Sequence, residues 1–440
     1  MQLGVSVSQT EIVAVHIHQD GDVRQFREPV LGSSISGAVA SMFSRVHSLL
    51  EELATGVSSV TFDVSETLGY DDPPTLVAVR LLPRPPTGSW NSSEQGWAEL
   101  GQPRIVYAGG GHTALGEELA PLDLDTLTRL IDSADRNVRY VVTSVGSLVH
   151  PGHEIAAERL LSGHLHTLAV EGSHAFHSSS FAVRERTALA NQALLPKAEA
   201  LGTELALVSG QVFPKARLYV ATSDGGKVPL SRLAVAPVHS LLSGHAAELI
   251  GAAALCNKDE GQIVIAQAES LYTGEMLNGV PAVIPYAPAS PVGRLATQTA
   301  NIRPVNPQVL AGRMQGPAWS QSPPALVLEE GAVLPDTLQA LDRQSTPIHL
   351  RTLGAACASH TEWVNRFIRI ANADEMQAQL AEGETRVHAR LVAAGASPSQ
   401  TRIVESRLAA TAYETPNVVA VRVRGVAGVR PALRDVVVDS

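Results

Sequence analysis

The chain has 440 residues, 45% hydrophobic and 17% charged, enough for two or three domains with a large core. Its formal net charge of −10 argues against nucleic acid or an anionic membrane as partner. Two cysteines, Cys256 and Cys357, exclude a disulfide framework, and with no signal-like leader or ~20-residue apolar run they lead us to expect a cytoplasmic protein.

In chain order, Leu3–Ser8, Ile12–His18 and Val23–Phe26 predict three strands, with a turn at Asp20-Gly21-Asp22. Gly32–Ala54 predicts an amphipathic helix, because Val39, Met42, Phe43, Val46, Leu49, Leu50 and Leu53 recur at three- and four-residue spacing. Strands are expected at Ser59–Val64 and Leu76–Leu82, then a surface loop over the Pro-, Ser- and Gly-rich Pro83–Gln102. Leu122–Ala134 predicts a helix, Val138–Ser144 a strand and His153–Ser162 a helix.

The middle of the chain is the most distinctive. A short strand, Leu218–Ala221, runs into a tight turn on Ser223-Asp224-Gly225-Gly226, where two glycines accept positive φ without steric cost. A second turn at Ser243-Gly244 opens an Ala-rich helix, whose first N–H groups suit an anion or a carbonyl oxygen. Further on, Gln262–Ile265 predicts a strand and Glu275–Pro285 a hairpin turning on Asn278-Gly279. Ala287–Pro324 reads as a long irregular connection, Ala325–Val327 as a strand and Leu334–Ala340 as a helix. Leu353–Ile370 and Ala373–Ala394 are expected helices, and Thr401–Ser406 with Val418–Val426 closes a hairpin.

Thr222–Gly226 followed by Leu242–Ala247 resembles the Q-S-D-G-G turn and L-S-G-P-A-A-G helix start of the hydantoinase/oxoprolinase family. His245 stands for that motif's proline and Glu248 for its final glycine. The phrase Leu148–Glu154, LVHPGHE, is similar to the family's N-P-x-H-E turn, and Arg184, Arg186, Thr187 and Asn191 supply part of a pattern that starts a long helix. The resemblance implies an α/β fold of two actin-like (ribonuclease H-like) lobes around a central cleft, with a small C-terminal α+β extension. It divides the chain into an N-terminal-like lobe over 1–178, a central segment over 179–300, and the rest of the second lobe with the extension over 301–440. It also implies ATP-dependent hydrolysis of cyclic amides such as hydantoin or 5-oxoproline, often in a two-subunit enzyme.

Actin-like ATPases close two D-x-G-G-T hairpins and a Gly-rich turn on Mg-ATP, with glycines for close backbone approach and aspartates for the metal. Here the first hairpin reads Ser6-Val7-Ser8-Gln9-Thr10, in which only Thr10 matches. The second reads Ala266-Gln267-Ala268-Glu269-Ser270, with the aspartate replaced by Ala266 and a carboxylate at Glu269. The third reads Glu329-Glu330-Gly331-Ala332 and sets two carboxylates where nucleotide would lie. No cofactor is therefore expected, although Mg-ATP is the family's. Gly109-Gly110-Gly111-His112 lacks P-loop spacing and reads as a flexible loop.

Six histidines fall between 150 and 177: His150, His153, His164, His166, His174 and His177. His164 and His166 would share a face on a strand, but the spacing fits no metal cage and no metal site is expected. Cys256 and Cys357 read as small core residues. Asp224 is the candidate catalytic base, with Ser223, Gly225, Gly226, Ser243, Gly244 and His245 around the substrate. The alternative is a turn aspartate held by the N–H groups of Gly226 and Lys227. The expected function is that of a divergent family member, ATP-independent or non-catalytic, working with a second hydantoinase-type subunit or a second copy of itself. An active cyclic-amide hydrolase with an altered nucleotide or metal site is the alternative.

Overall fold

A computed structural model describes residues 1–30, 34–52, 56–84, 86, 96–132, 138–165, 170–268, 270–287, 290–314, 324–332, 343–410, 417–428, 430–434 and 436–438. The helix expected at Leu334–Ala340 lies outside them, as do Glu269 and His166.

The first lobe begins with an antiparallel meander, β1 (Gln2–Val7), β2 (Glu11–Ile17) and β3 (Val23–Pro29), then α1 (Ile35–Glu52) and β4 (Ser59–Asp63). Both strand faces are covered, so the runs are almost continuously apolar: Leu3, Val5, Val7, Ile12 and Val60 are buried. Met42, Phe43 and Val46 of α1 pack into the same core, as the helical spacing predicts.

Between β4 and β9 (Arg217–Ala221) the chain inserts β5 (Thr75–Leu82), β6 (Arg104–Gly109), α2 (Leu124–Asp132), β7 (Val138–Ser144), α3 (Gly152–Leu165) and β8 (Val170–Gly172). These strands form a parallel sheet in the order β6-β5-β7-β8. The 32-residue α4 (Phe181–Val212), capped by Ser180, then crosses back. A buried bidentate pair between Arg80 and Glu185, at 2.7 and 2.8 Å, fixes β5 to α4.

After β9 come β10 (Gly226–Pro229), α5 (Ser243–Leu255), β11 (Gly261–Gln267), β12 (Ser270–Leu277) and β13 (Val280–Pro281). Short β14 (Val283–Ile284) follows within the expected hairpin stretch, and β15 (Thr299–Ala300), β16 (Arg303–Pro304) and α6 (Pro307–Met314) punctuate the stretch expected to be irregular. Then follow β17 (Ala325–Glu329), β18 (Arg343–Thr346) and α7 (Leu350–Cys357). The second sheet runs β13-β12-β11-β17-β18, and the first contains β3-β2-β1-β4-β9. Each has three antiparallel strands followed by two parallel ones. The fold is thus two actin-like lobes around a cleft.

Helices α5 and α7 lie against each other between the two sheets. Their contact is backbone-close: a Cβ on Gly354 would sit 1.7 Å from the Ala247 carbonyl oxygen, and one on Gly251 would sit 2.2 Å from that of Leu350. Only glycine fits at either crossing point.

The expected helix Leu353–Ile370 is corrected. It ends at Cys357, and β19 (Ser359–Arg369) follows, paired with β10 and with β21 (Val418–Ala427). Thr361, Val364 and Phe367 suit a strand, and partner strands on both sides satisfy its backbone better than a helix could. With α8 (Ala373–Ala393) and β20 (Thr401–Ala410) it forms the C-terminal α+β extension, whose core is Val364, Val387, Leu391, Val421 and Val423. A last strand, β22 (Val436–Val438), pairs with β3. His164 is also corrected, since it lies on α3 rather than on a strand. Among the described residues no helix is long and apolar enough to cross a membrane.

Candidate functional site

Two places concentrate polar chemistry: the N-terminal ends of α5 and α7 inside the cleft, and a cavity beside Asp224. In the cleft, Ser243 at the start of α5 donates its hydroxyl to Asp63 at the end of β4. Arg351, in the first turn of α7, reaches over that helix start. Its Nε and Nη2 lie 3.1 and 2.8 Å from Glu248 Oε1, its Nη1 bonds Glu66, and Asp63 Oδ2 is 3.9 Å from Nε. Gly244 makes room for it, because a Cβ there would meet the Arg351 Cζ at 2.9 Å and Ser65 Oγ at 2.8 Å.

The electrostatics follow from this packing. Burial works to raise the Glu248 pKa, yet the His245 hydrogen bond and Arg351 override it and bring it to about 2. Asp63 is pushed up by burial, with Arg351 and Ser243 opposing only in part. His245, half-exposed, is raised by its 3.0 Å bond to Glu248. Glu329 is pushed up by burial and accepts the Leu350 N–H at 3.0 Å.

The remaining positions of the three nucleotide-type motifs sit nearby or at hairpin tips. Ser6 bonds the Thr352 hydroxyl at 2.9 Å, so the first hairpin docks on α7. Ser8 caps its own turn by accepting the N–H groups of Thr10 and Glu11, and Gln9 and Thr10 lie at the tip. Ala266 is buried in the second lobe, Ala268 takes the turn with φ 44°, and Glu330 is exposed.

Asp224 is buried on the β9–β10 turn, and four donors meet its carboxylate. Oδ1 accepts from the Thr222 hydroxyl at 2.5 Å and the Gly226 N–H at 3.1 Å; Oδ2 accepts from Trp363 Nε1 at 2.8 Å and Arg424 Nη2 at 3.3 Å. Burial works to raise its pKa, but Arg424 first and then these hydrogen bonds hold it below the usual carboxylate range. Gly225 takes φ 86°, which is what the sequence requires of that glycine. Ser223 is a staple: its hydroxyl donates to the His239 carbonyl and accepts the Leu242 N–H, joining the turn to the approach of α5. A Cβ on Gly226 would collide with Thr361 Oγ1 at 1.8 Å.

Beside this turn lies a cavity of about 240 Å³. Its walls include Asp224, Thr222, His177, His239, Glu362 and Asn365. Burial pushes both histidines down to about 4, so they are neutral imidazoles at physiological pH. Glu362 is pushed up by burial, with Arg232 and Arg390 opposing. Of the predicted residues only Asp224 lines this cavity; Ser223, Gly225 and Gly226 build the turn that carries it, and Ser243, Gly244 and His245 lie at the start of α5.

Sequence reasoning missed Arg351, Trp363 and Arg424, each at least 100 residues from its partner carboxylate. Of the histidines, His112 stacks on His153 at 4.2 Å between ring centroids, and His150 stands 6.2 Å away. The Gly109–Gly111 stretch is held in place by a 2.9 Å bond from the Gly111 N–H to His153. Among the described residues no three His, Cys, Asp or Glu side chains are placed to hold a metal ion.

No family model matches the sequence, and no curated protein matches it. Solved structures do match the fold, among them these two. A nucleotide-free acetone carboxylase, from work on ATP-dependent acetone carboxylation, is 10% identical, with 98% of this chain and 88% of that one covered at a TM-score of 0.67. An ATP-dependent caprolactamase from Pseudomonas jessenii is 11% identical, with 100% and 89% covered at a TM-score of 0.68. At such identity the likeness speaks for the fold.

Proposed function

We propose that this chain is a divergent, ATP-independent member of the cyclic-amide hydrolase group, holding a small polar amide or carboxylate beside Asp224 as the non-catalytic subunit of a larger assembly. The carrying observation is the Arg351 cluster. Glu248, Glu66 and Asp63 already surround this guanidinium, and Gly244 gives it the space over the α5 N-terminus. A helix N-terminus with free N–H groups is a ready anion site. Here a phosphate would have to displace Arg351 and then face three carboxylates, with Glu329 close behind. The residues present do not fit Mg-ATP, and no chemical step is derived through it.

The cavity supports the ligand half of the reading. Asn365 and Thr222 offer hydrogen bonds to a neutral amide, while Arg232 and Arg390 suit a carboxylate. Asp224 positions this wall through Trp363 and Arg424 rather than acting as a free base, since both its oxygens are engaged. Titrating hydantoin, 5-oxoproline and caprolactam into the chain, with and without Mg-ATP, tests the proposal. It expects binding of at least one that Mg-ATP leaves unchanged and no ring-opened product; ATP-dependent tightening or turnover refutes it.

The active-hydrolase reading is favoured by one feature, the neutral His177 and His239 beside Glu362, groups suited to acid–base work. Ring opening by the purified chain, abolished in His239→Gln, would establish it.

A further inference from the structure

A second cavity, of about 730 Å³, opens where the N-terminal ends of β4, β9 and β19 meet the end of α8. Four basic side chains line it, Lys215, Arg217, Lys227 and His360, and among the described lining residues there is no Asp or Glu. That imbalance stands out in a chain of net charge −10.

Lys227 is the telling member. It is only 4% exposed, and among the described residues no hydrogen bond or ion pair meets its ammonium. Its Nζ lies over the Tyr219 ring, 5.3 Å from the centroid. A buried, unpaired ammonium is costly, and one facing a cavity is relieved by an anion entering from solvent. The neighbouring Cys357 thiol is no counter-ion, because burial pushes its pKa up to about 12. Arg217 is held in place by donating to the Gly395 carbonyl at 2.6 Å. Tyr219 and His360 pack edge to face at 4.5 Å, setting an aromatic wall beside the cations.

We propose that this cavity binds a small organic anion carrying a phosphoryl group, with Lys227 and Arg217 as its principal partners. Several cations lining one cavity without a carboxylate among them suit an oxyanion with two negative charges better than a single carboxylate. Burial lowers the Lys227 pKa to about 8, and His360 is pushed to about 4 by burial and by Lys227 and Arg217. An anion between them would draw protons to both.

The test is titration of inorganic pyrophosphate, and separately inorganic phosphate, into the full chain at a constant ionic strength of about 0.15 M. Saturable binding with Kd below about 1 mM is expected for pyrophosphate. Lys227→Met should weaken it at least tenfold while leaving the chain folded, since it removes a buried charge and keeps the stem. Arg217→Gln, at an exposed position, should weaken it severalfold and serves if Lys227→Met does not fold. Absence of saturable binding by either anion overturns the proposal. So does binding that survives both substitutions, or that falls equally in Arg390→Gln, which alters the other cavity.

Discussion

Replacing Arg351 by Met keeps the stem and deletes the charge on which the cleft is closed. The side chain is 15% exposed, while Glu248 and Asp63 are 5% and 2% exposed. Removing one partner of a buried ion pair leaves the other charge uncompensated and costs about 3–5 kcal/mol. The shift of Glu248 from 4.5 to about 2 gives a second figure, about 3 kcal/mol at neutral pH for its contacts net of the burial that opposes them. His245 shares that sum, so roughly 2–3 kcal/mol is the expected loss. The sign is fixed by linkage. A carboxylate with a depressed folded pKa stabilises fully above about 4.5 and loses that contribution as pH falls toward 2. Without Arg351, Glu248 protonates more readily, and the deficit shrinks on acidification. Urea unfolding of both proteins, followed by circular dichroism at pH 7 and pH 4, measures it. A variant within ~0.5 kcal/mol of wild type at pH 7, or a deficit equal at both pH values, refutes the reasoning.

Asp224→Asn strands the buried Arg424, so a loss of about 3 kcal/mol or more is expected in urea unfolding; loss of cyclic-amide binding without destabilisation would mean Asp224 contacts ligand directly. Gly354→Ala drives a methyl into the Ala247 carbonyl and should leave little soluble protein, whereas Gly331→Ala, with open space around it but φ 81°, should cost only about 1 kcal/mol. His177 and His239 should stay neutral in NMR titrations down to about pH 5. Because their folded pKa lies below 6.5, the unfolded chain binds more protons, and stability should fall as pH drops from 6.5 toward 4.

Much of the fold was legible. Short apolar runs and turn residues located β1 to β5, β7 and the Asn278-Gly279 hairpin, in which both residues take positive φ. Two of the motif residues, Glu154 and Asn191, hold backbone in place in a way sequence cannot display. Glu154 accepts the N–H of Ser144 and of His174, and Asn191 joins Glu171 to the Val235 and Val238 backbone. The misassigned stretch after Cys357 has helix-like apolar spacing, and only its neighbours β10 and β21 make it a strand. Arg351 was illegible because nothing in Leu350-Arg351-Thr352 distinguishes it from a solvated helix residue. Its meaning comes from Glu66 and Glu248, 285 and 103 residues away.

Protein ion pairs, rather than nucleotide, hold the two sides of the cleft together. Calorimetric titration of Mg-ATP into the wild-type and Lys227→Met chains decides this, because the substitution weakens anion binding in the separate cationic cavity. No micromolar binding to Lys227→Met is expected, and any weak binding to wild type should fall at least tenfold in the variant. Micromolar binding that persists in Lys227→Met would contradict it.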